Sequence, residues 1–155
     1  MSYGTPALAE FTLVRPIQEA TYHLLEISNS RRDLSRELQL EQALTNNQKD
    51  RELAVEEAKL NAMRDQRPDI QSSQYDVWME NMTQVREDYQ MATNDIQDYY
   101  DEINSMLEAD ANEKEIDLDQ DQTTTETQLE AMQAEKEGYD EAISQKIEEG
   151  AIFSN

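Results

Sequence analysis

The sequence predicts an all-α protein, an elongated antiparallel helical hairpin of the coiled-coil type. Apolar side chains recur at alternating spacings of three and four residues in the second half of the chain, and the same spacing recurs in the first half. Such spacing keeps one seam of side chains on a helix facing a partner helix. Between the two stripes stands Pro68, which disfavours helix at the preceding residue, so we expect the chain to turn there.

The first arm is expected to contain a short helix and a long one. Thr5 and Pro6 favour a helix start, which predicts a short helix over about 6–14. Pro16, with Glu19 three residues later, favours a restart after a kink, which predicts the main helix over about 16–66. In the expected seam of this arm, Arg31 occupies the one position without an apolar residue. The apolar members are Leu13, Ile17, Ala20, Leu24, Ile27, Leu34 and Leu38. The polar run 45–52 predicts looser packing there.

The turn is expected at residues 68–72. Ser72 and Ser73 offer side-chain oxygens to the first amides of a new helix, which should start near Ser73. A hairpin folded about residue 70 pairs positions whose numbers sum to about 140. In that register the basic cluster Arg31, Arg32 and Arg36 faces the acidic region 101–110.

The second arm carries the longest seam, followed by a polar stretch. Its predicted inward positions are Tyr75, Trp78, Met82, Val85, Tyr89, Ala92, Ile96, Tyr99, Ile103 and Met106. Residues 108–128 are almost wholly polar and could be helical or looped. Three adjacent threonines at 123–125 weaken helix, so we expect a kink or break near 117–127. Helical spacing resumes at Leu129, Gly150 favours a helix end, and the last twenty residues either project or fold back.

Composition favours one helical unit over residues 1–155, with arms at 1–67 and 73–155. The 155 residues include three Gly, three Pro and no Cys, and the mean hydropathy is −0.93. The absence of Cys excludes a disulfide framework and a thiolate metal site. Apolar runs are too short for a transmembrane span, and Glu10 interrupts the apolar N-terminal stretch, which argues against a secretory signal. Localisation stays open, with export by an uncleaved route slightly favoured over the cytoplasm.

The formal charge of −22 lies mostly in the second arm. Residues 1–67 carry 9 basic and 11 acidic side chains, and residues 68–155 carry 4 and 24. Such a surface repels the nucleic-acid backbone and anionic lipid headgroups, so neither is an expected partner. A solvated helix face accounts for most of this charge. A basic protein is the partner that would suit it.

Local motifs do not predict catalysis, a cofactor or a metal site. Asp117, Asp119 and Asp121 have the spacing that begins a calcium-binding EF-hand loop, but Gln122 replaces the turn glycine and Gln128 stands where the bidentate glutamate is required. The only histidine, His23, lacks a paired nucleophile and is expected on a helix surface. Methionines at seam positions are expected to fill the core rather than to form a binding groove.

In architecture the chain resembles the subunits of flagellin-like and type III secretion filaments, which are Cys-poor, uncleaved helical hairpins. The resemblance covers the whole chain without a diagnostic motif, and it implies a structural protein that assembles with itself through its termini. The candidate assembly residues are Phe11, Leu13, Ile152 and Phe153. The alternative is a cytoplasmic acidic coiled-coil adaptor or chaperone that binds a basic protein. Mid-chain Trp78 also resembles the turn tryptophan of type VII secretion hairpins, although Glu80 replaces the glycine of that motif.

Overall fold

A computed structural model describes the backbone of residues 4–153 and the side chains of residues 7–150. It contains two α-helices, α1 over Gly4–Asp65 and α2 over Tyr75–Phe153, and no strand within the described residues. The all-α helical hairpin predicted from the sequence is therefore confirmed. Contacts between residues divide the chain into two units. The turn unit comprises residues 35–112, and the terminal unit comprises residues 1–34 together with 113–155.

Both helices run through the positions where the sequence predicted interruptions. Pro16 lies inside α1, so there is no separate helix over 6–14. Helix α2 is continuous through 117–127, and it continues past Gly150 to Phe153. The prediction of a broken second arm was wrong because packing outweighs the weak helix propensity of threonine. Thr125 is buried against α1 within the terminal unit, and Thr127 donates a hydrogen bond to the Thr123 carbonyl oxygen at 2.8 Å.

The register of the two helices differs from the predicted one. Asn46 contacts Asn104 and Gln42 contacts Glu108, so the numbers of these partners sum to 150 rather than 140. Arg31 accordingly binds Asp119, and not a residue of the 101–110 region. The helix ends do not follow this register, since α1 ends at Asp65 and α2 begins at Tyr75, and these numbers sum to 140. The first turns of α2 therefore extend beyond the last turn of α1, and residues 66–74 return alongside them.

The buried seam of α2 follows the predicted positions as far as Ile96, and beyond it only Ile103 of the predicted set is half-buried. Tyr99 and Met106 are 58% and 65% exposed, whereas Tyr100 is only 3% exposed and Leu107 is half-buried. The predicted alternation requires a step of three residues after Ile96, which leads to Tyr99. The next buried residue is instead four positions on, at Tyr100. A straight α-helix drifts by about 20° per heptad relative to a 3.5-residue repeat, and an extra step of four restores the alignment. The facing part of α1 makes the same change, since Thr45, Lys49 and Leu53 point inward at successive steps of four.

The remaining predicted seam residues all lie inward to some degree. Ile27 and Met82 are buried, and the others are half-buried. These half-buried residues are Leu13, Ile17, Ala20, Leu24, Leu34, Leu38, Tyr75, Trp78, Val85, Tyr89, Ala92, Ile96 and Ile103. Leu60 is also buried, as are Ala111 and two threonines, Thr45 and Thr125, which lie outside the predicted seam. The seam is thus continued by small and polar residues where the apolar stripe ends.

Trp78 closes the turn by capping the end of α1. The last four carbonyl oxygens of an α-helix lack partners within that helix. The indole Nε1 of Trp78 donates to one of them, the carbonyl oxygen of Met63, at 2.9 Å. The Tyr75 ring lies 5.8 Å from the Trp78 ring, and the Arg67 guanidinium lies over Tyr75 at 5.7 Å from its centroid. Just before α2, Ser72 Oγ accepts from the amide of Gln74 at 3.2 Å. The Ser72 carbonyl oxygen accepts from the amide of Tyr75, the first residue of α2, also at 3.2 Å.

Candidate interaction surfaces

Within the turn unit, α1 and α2 are joined mainly by contacts between neutral polar groups and carboxylates. Tyr100 donates its hydroxyl to Glu52 at 2.8 Å, and this hydrogen bond raises the pKa of Tyr100 above its ordinary value of 10.0. Further contacts join Gln42 to Glu108 at 3.3 Å and Asn46 to Asn104 at 3.4 Å. An ion pair also joins the helices in this unit, but the distance from Lys49 Nζ to the Asp101 carboxylate is long, at 3.9 Å.

Within the terminal unit, the cross-helix contacts are made by ionisable groups. The Arg31 guanidinium binds the Asp119 carboxylate, and His23 Nε2 lies 2.8 Å from Asp121. The other ring nitrogen of His23 lies 3.4 Å from Glu26. Because carboxylates only accept, two such neighbours favour the imidazolium, which donates from both nitrogens. The hydrogen bond to Asp121 and then that to Glu26 raise the pKa of His23 above its ordinary 6.5.

A second titratable contact lies near the end of this unit. Glu10 of α1 shares a hydrogen bond with Asp140 of α2, and that bond, followed by burial and the charge of Asp140, raises the pKa of Glu10 above its ordinary 4.5. The charge of Lys136 acts in the opposite direction. Two carboxyl groups can share a hydrogen bond only when one of them is protonated. This contact therefore favours proton uptake, as the histidine contact does.

The acidic triplet that resembles a calcium loop has a different role in the structure. Asp117, Asp119 and Asp121 lie on α2, so their backbone is helical and does not form a loop. Asp119 and Asp121 are used for the contacts with Arg31 and His23. Among the described residues, no group of three or more His, Cys, Asp or Glu side chains could hold a metal ion.

A groove of about 430 Å³ lies between the helices near the turn. Leu60 and Met63 of α1 face Val85 and Tyr89 of α2 across it, and the rim carries Lys59, whose Nζ lies 3.0 Å from Glu56. Its walls are mainly apolar, and two of the polar side chains that line it, Lys59 and Glu56, pair with each other. The groove can accommodate an apolar side chain from a partner.

Large apolar side chains also lie outside the seam, on the surfaces of both units. Those that are more than half exposed are Leu8, Phe11, Tyr22, Leu25, Ile116 and Ile147 in the terminal unit, and Leu40, Leu44, Val55, Ile70, Val77, Met91, Tyr99 and Met106 in the turn unit. Two candidate assembly residues have different positions: Phe11 is exposed, whereas Leu13 is half-buried in the seam. The side chains of the other two, Ile152 and Phe153, lie outside the described residues.

One outward surface was missed when the sequence was read for a single seam. Phe11, Val14, Tyr22 and Leu25 lie on one face of α1, turned away from α2, and Gln18 lies between them. With Gln18 included, these positions are spaced by three, four, four and three residues, which is itself a helical pattern. A search of the sequence for a second apolar stripe, on a different face of the helix, would have found this surface.

Comparison with known proteins does not assign the chain to a family. No protein-family model, curated protein or solved structure matches it. Within the described part of the chain, neither helix contains a segment long and apolar enough to cross a membrane.

Proposed function

We propose that the protein is a structural subunit that associates with copies of itself, as an exported filament subunit does. The proposal is carried by the large apolar side chains that are more than half exposed on both helices, such as Phe11, Tyr22 and Met91. Isolated exposed apolar residues are normal, but residues recurring on one helix face mark an interaction surface. In a hairpin each helix packs on one neighbour only, whereas helices in a bundle pack on two or more.

The buried set supports the same conclusion. Five hydrophobic side chains are buried within the described residues, namely Ile27, Leu60, Met82, Tyr100 and Ala111. Two helices enclose little volume between them, so much apolar surface stays in water in a single hairpin. Association of several hairpins would remove that surface from water and supply a driving force.

Sedimentation velocity over a range of protein concentration and salt tests the proposal. Subunits that each carry −22 repel one another, and the repulsion is screened over about 10 Å at about 0.1 M salt and about 3 Å at about 1 M. Self-association should therefore strengthen as salt rises. A protein that stays monomeric at every concentration and salt would disprove the proposal, and electron microscopy of the associated fraction would show whether it forms filaments.

The alternative function is that of an acidic adaptor or chaperone for a basic protein. It is favoured by one observation, the excess of 24 acidic over 4 basic side chains in residues 68–155. Attraction between opposite charges weakens as salt rises, which is the reverse of the behaviour expected for self-association. Binding of a basic peptide such as polylysine that weakens with salt, by a chain that remains monomeric, would support this alternative.

A further inference from the structure

The outward stripe of α1 in the terminal unit has a symmetrical sequence. Phe11 and Leu25 both lie seven residues from Gln18, and Val14 and Tyr22 both lie four residues from it. At 100° per residue these five positions fall within about 80° of arc, centred about 140° round the helix from the seam. The four apolar side chains are 73%, 37%, 63% and 56% exposed in chain order from Phe11 to Leu25.

We propose that two copies of the protein pack together through this stripe, with α1 antiparallel to α1 and a two-fold axis passing beside Gln18. This inference rests on the proposed self-association and adds the surface, the orientation and the register. A two-fold interface uses the same patch on both subunits, so each residue meets its counterpart across the axis. Phe11 of one copy then lies level with Leu25 of the other, Val14 lies level with Tyr22, and Gln18 meets Gln18.

Charge on the edge of the stripe is compatible with this arrangement. Arg15 and Glu19 lie on the same side of the stripe and already form an ion pair within α1 at 3.0 Å. A two-fold axis perpendicular to α1 keeps both residues on the same side in the second copy. Arg15 of one copy then lies within about 3 Å, measured along the helix, of the level of Glu19 in the other. The two Glu19 side chains lie equally close in level, but Arg15 lies nearer the stripe than Glu19 does, so each Arg15 is placed between the partner helix and the two carboxylates.

The same part of α1 is among the least acidic surfaces of the chain. Residues 7–29 contain three glutamates, one arginine and His23, whereas residues 68–155 carry 24 acidic and 4 basic side chains. A second copy docking through α2 would meet much stronger repulsion. The stripe from Phe11 to Leu25 is about 21 Å long, which predicts a weak, concentration-dependent dimer rather than an obligate one.

Single cysteines test the contact, because the natural chain contains none. In Gln18→Cys the two thiols lie beside the axis, so mild oxidation should link two chains by a disulfide. In the matched control Ser30→Cys, an exposed residue twelve positions further along α1, the two thiols would lie about 36 Å apart along the pair. We expect Gln18→Cys to form the linked dimer at least tenfold faster on a denaturing gel, with equal helicity of both variants by circular dichroism.

Mixed variants test the orientation. Val14→Cys on its own should link slowly, whereas Val14→Cys mixed with a mass-tagged Tyr22→Cys should give the mixed dimer. A parallel pair would instead link Val14→Cys to itself, and that result would overturn the antiparallel arrangement.

The outcomes separate this inference from the proposed function. If Gln18→Cys links no faster than Ser30→Cys while the wild-type chain self-associates in sedimentation, the stripe is not the contact and another surface carries the assembly. If the wild-type chain is monomeric at every concentration, both the stripe and the proposed self-association are disproved.

Discussion

In the turn unit, α1 and α2 are held together by an indole cap, a tyrosine hydroxyl and side-chain amides. In the terminal unit they are held by contacts of arginine and histidine with carboxylates. The two units do not differ in net charge, since residues 35–112 and the remaining residues each carry −11. What differs is where the ionisable groups lie relative to the helix contact. The stability of the terminal unit should therefore respond to pH and salt more strongly than that of the turn unit.

The largest expected difference in the free energy of unfolding is between the same substitution at two neighbouring tyrosines of the turn unit. Tyr100→Asp places a carboxylate at a buried position, next to Glu52, and should lower the free energy of unfolding by about 3–5 kcal/mol. Tyr99→Asp changes an exposed side chain and should cost less than about 1 kcal/mol. Urea unfolding followed by circular dichroism measures both. Equal costs would mean that the seam does not shift at this position.

A smaller loss is expected at the turn. Trp78→Ala removes the donor to the Met63 carbonyl oxygen and the contact with Tyr75, and should cost about 2–3 kcal/mol because the side chain is only half-buried. Val77→Ala, at the neighbouring exposed position, is the matched control. Native-state hydrogen exchange should show the loss among amides of residues 35–112. A uniform loss that includes the terminal unit would contradict the division into two units.

The pH dependence should come from the terminal unit. The pKa of His23 is raised in the folded chain by Asp121 and Glu26. The histidine therefore contributes its full stabilisation of the fold below pH 6.5, the ordinary pKa of the side chain, and this stabilisation is lost as pH rises through the pKa of the folded chain. The pKa of Glu10 is raised as well, so the stabilisation from its protonated form is likewise lost as pH rises above 4.5. Melting temperatures of the wild type should therefore fall as pH rises above about 6.5. The fall should be smaller in His23→Gln, and an identical profile in the two proteins would rule out the histidine contact.

The smallest effect is expected at Arg31, although its ion pair with Asp119 lies between the helices. Its Nε atom is buried without a hydrogen-bond partner. The substitution leaves Asp119 without its cation, but that side chain is 57% exposed, so water solvates the carboxylate. Arg31→Leu would also fill the one position missing from the apolar stripe of α1. We expect a change within about 1 kcal/mol in either direction, measured by urea unfolding, with Arg32→Leu as an exposed control. A loss of several kcal/mol would show that the charge at position 31 is needed.

The fold class could be predicted because it depends on local spacing and on Pro68, both of which are explicit in the sequence. The register could not, since the spacing does not show how residues 66–74 return along the first turns of α2. Tyr99 and Tyr100 have the same side chain, and only the extra step of four determines which of them is buried. That step depends on the geometry of two helices packed over many turns.

The candidate surfaces were partly predictable for the same reasons. The position of Arg31 in the seam followed from spacing, but its partner Asp119 required the register. The contact of His23 with Asp121 joins residues 98 positions apart, so no local motif indicates it. The outward stripe around Gln18, in contrast, is fully visible in the sequence as a second helical phase.

The cap formed by Trp78 also gives the molecule a built-in optical reporter at one end of the turn unit. It is the single tryptophan of the chain, and its indole N–H is bound to the end of α1. Its emission should shift to longer wavelength when water replaces the Met63 carbonyl oxygen, so fluorescence follows the opening of the turn. Circular dichroism averages over both helices, and a difference between the two denaturation curves would measure directly how independently the two units unfold.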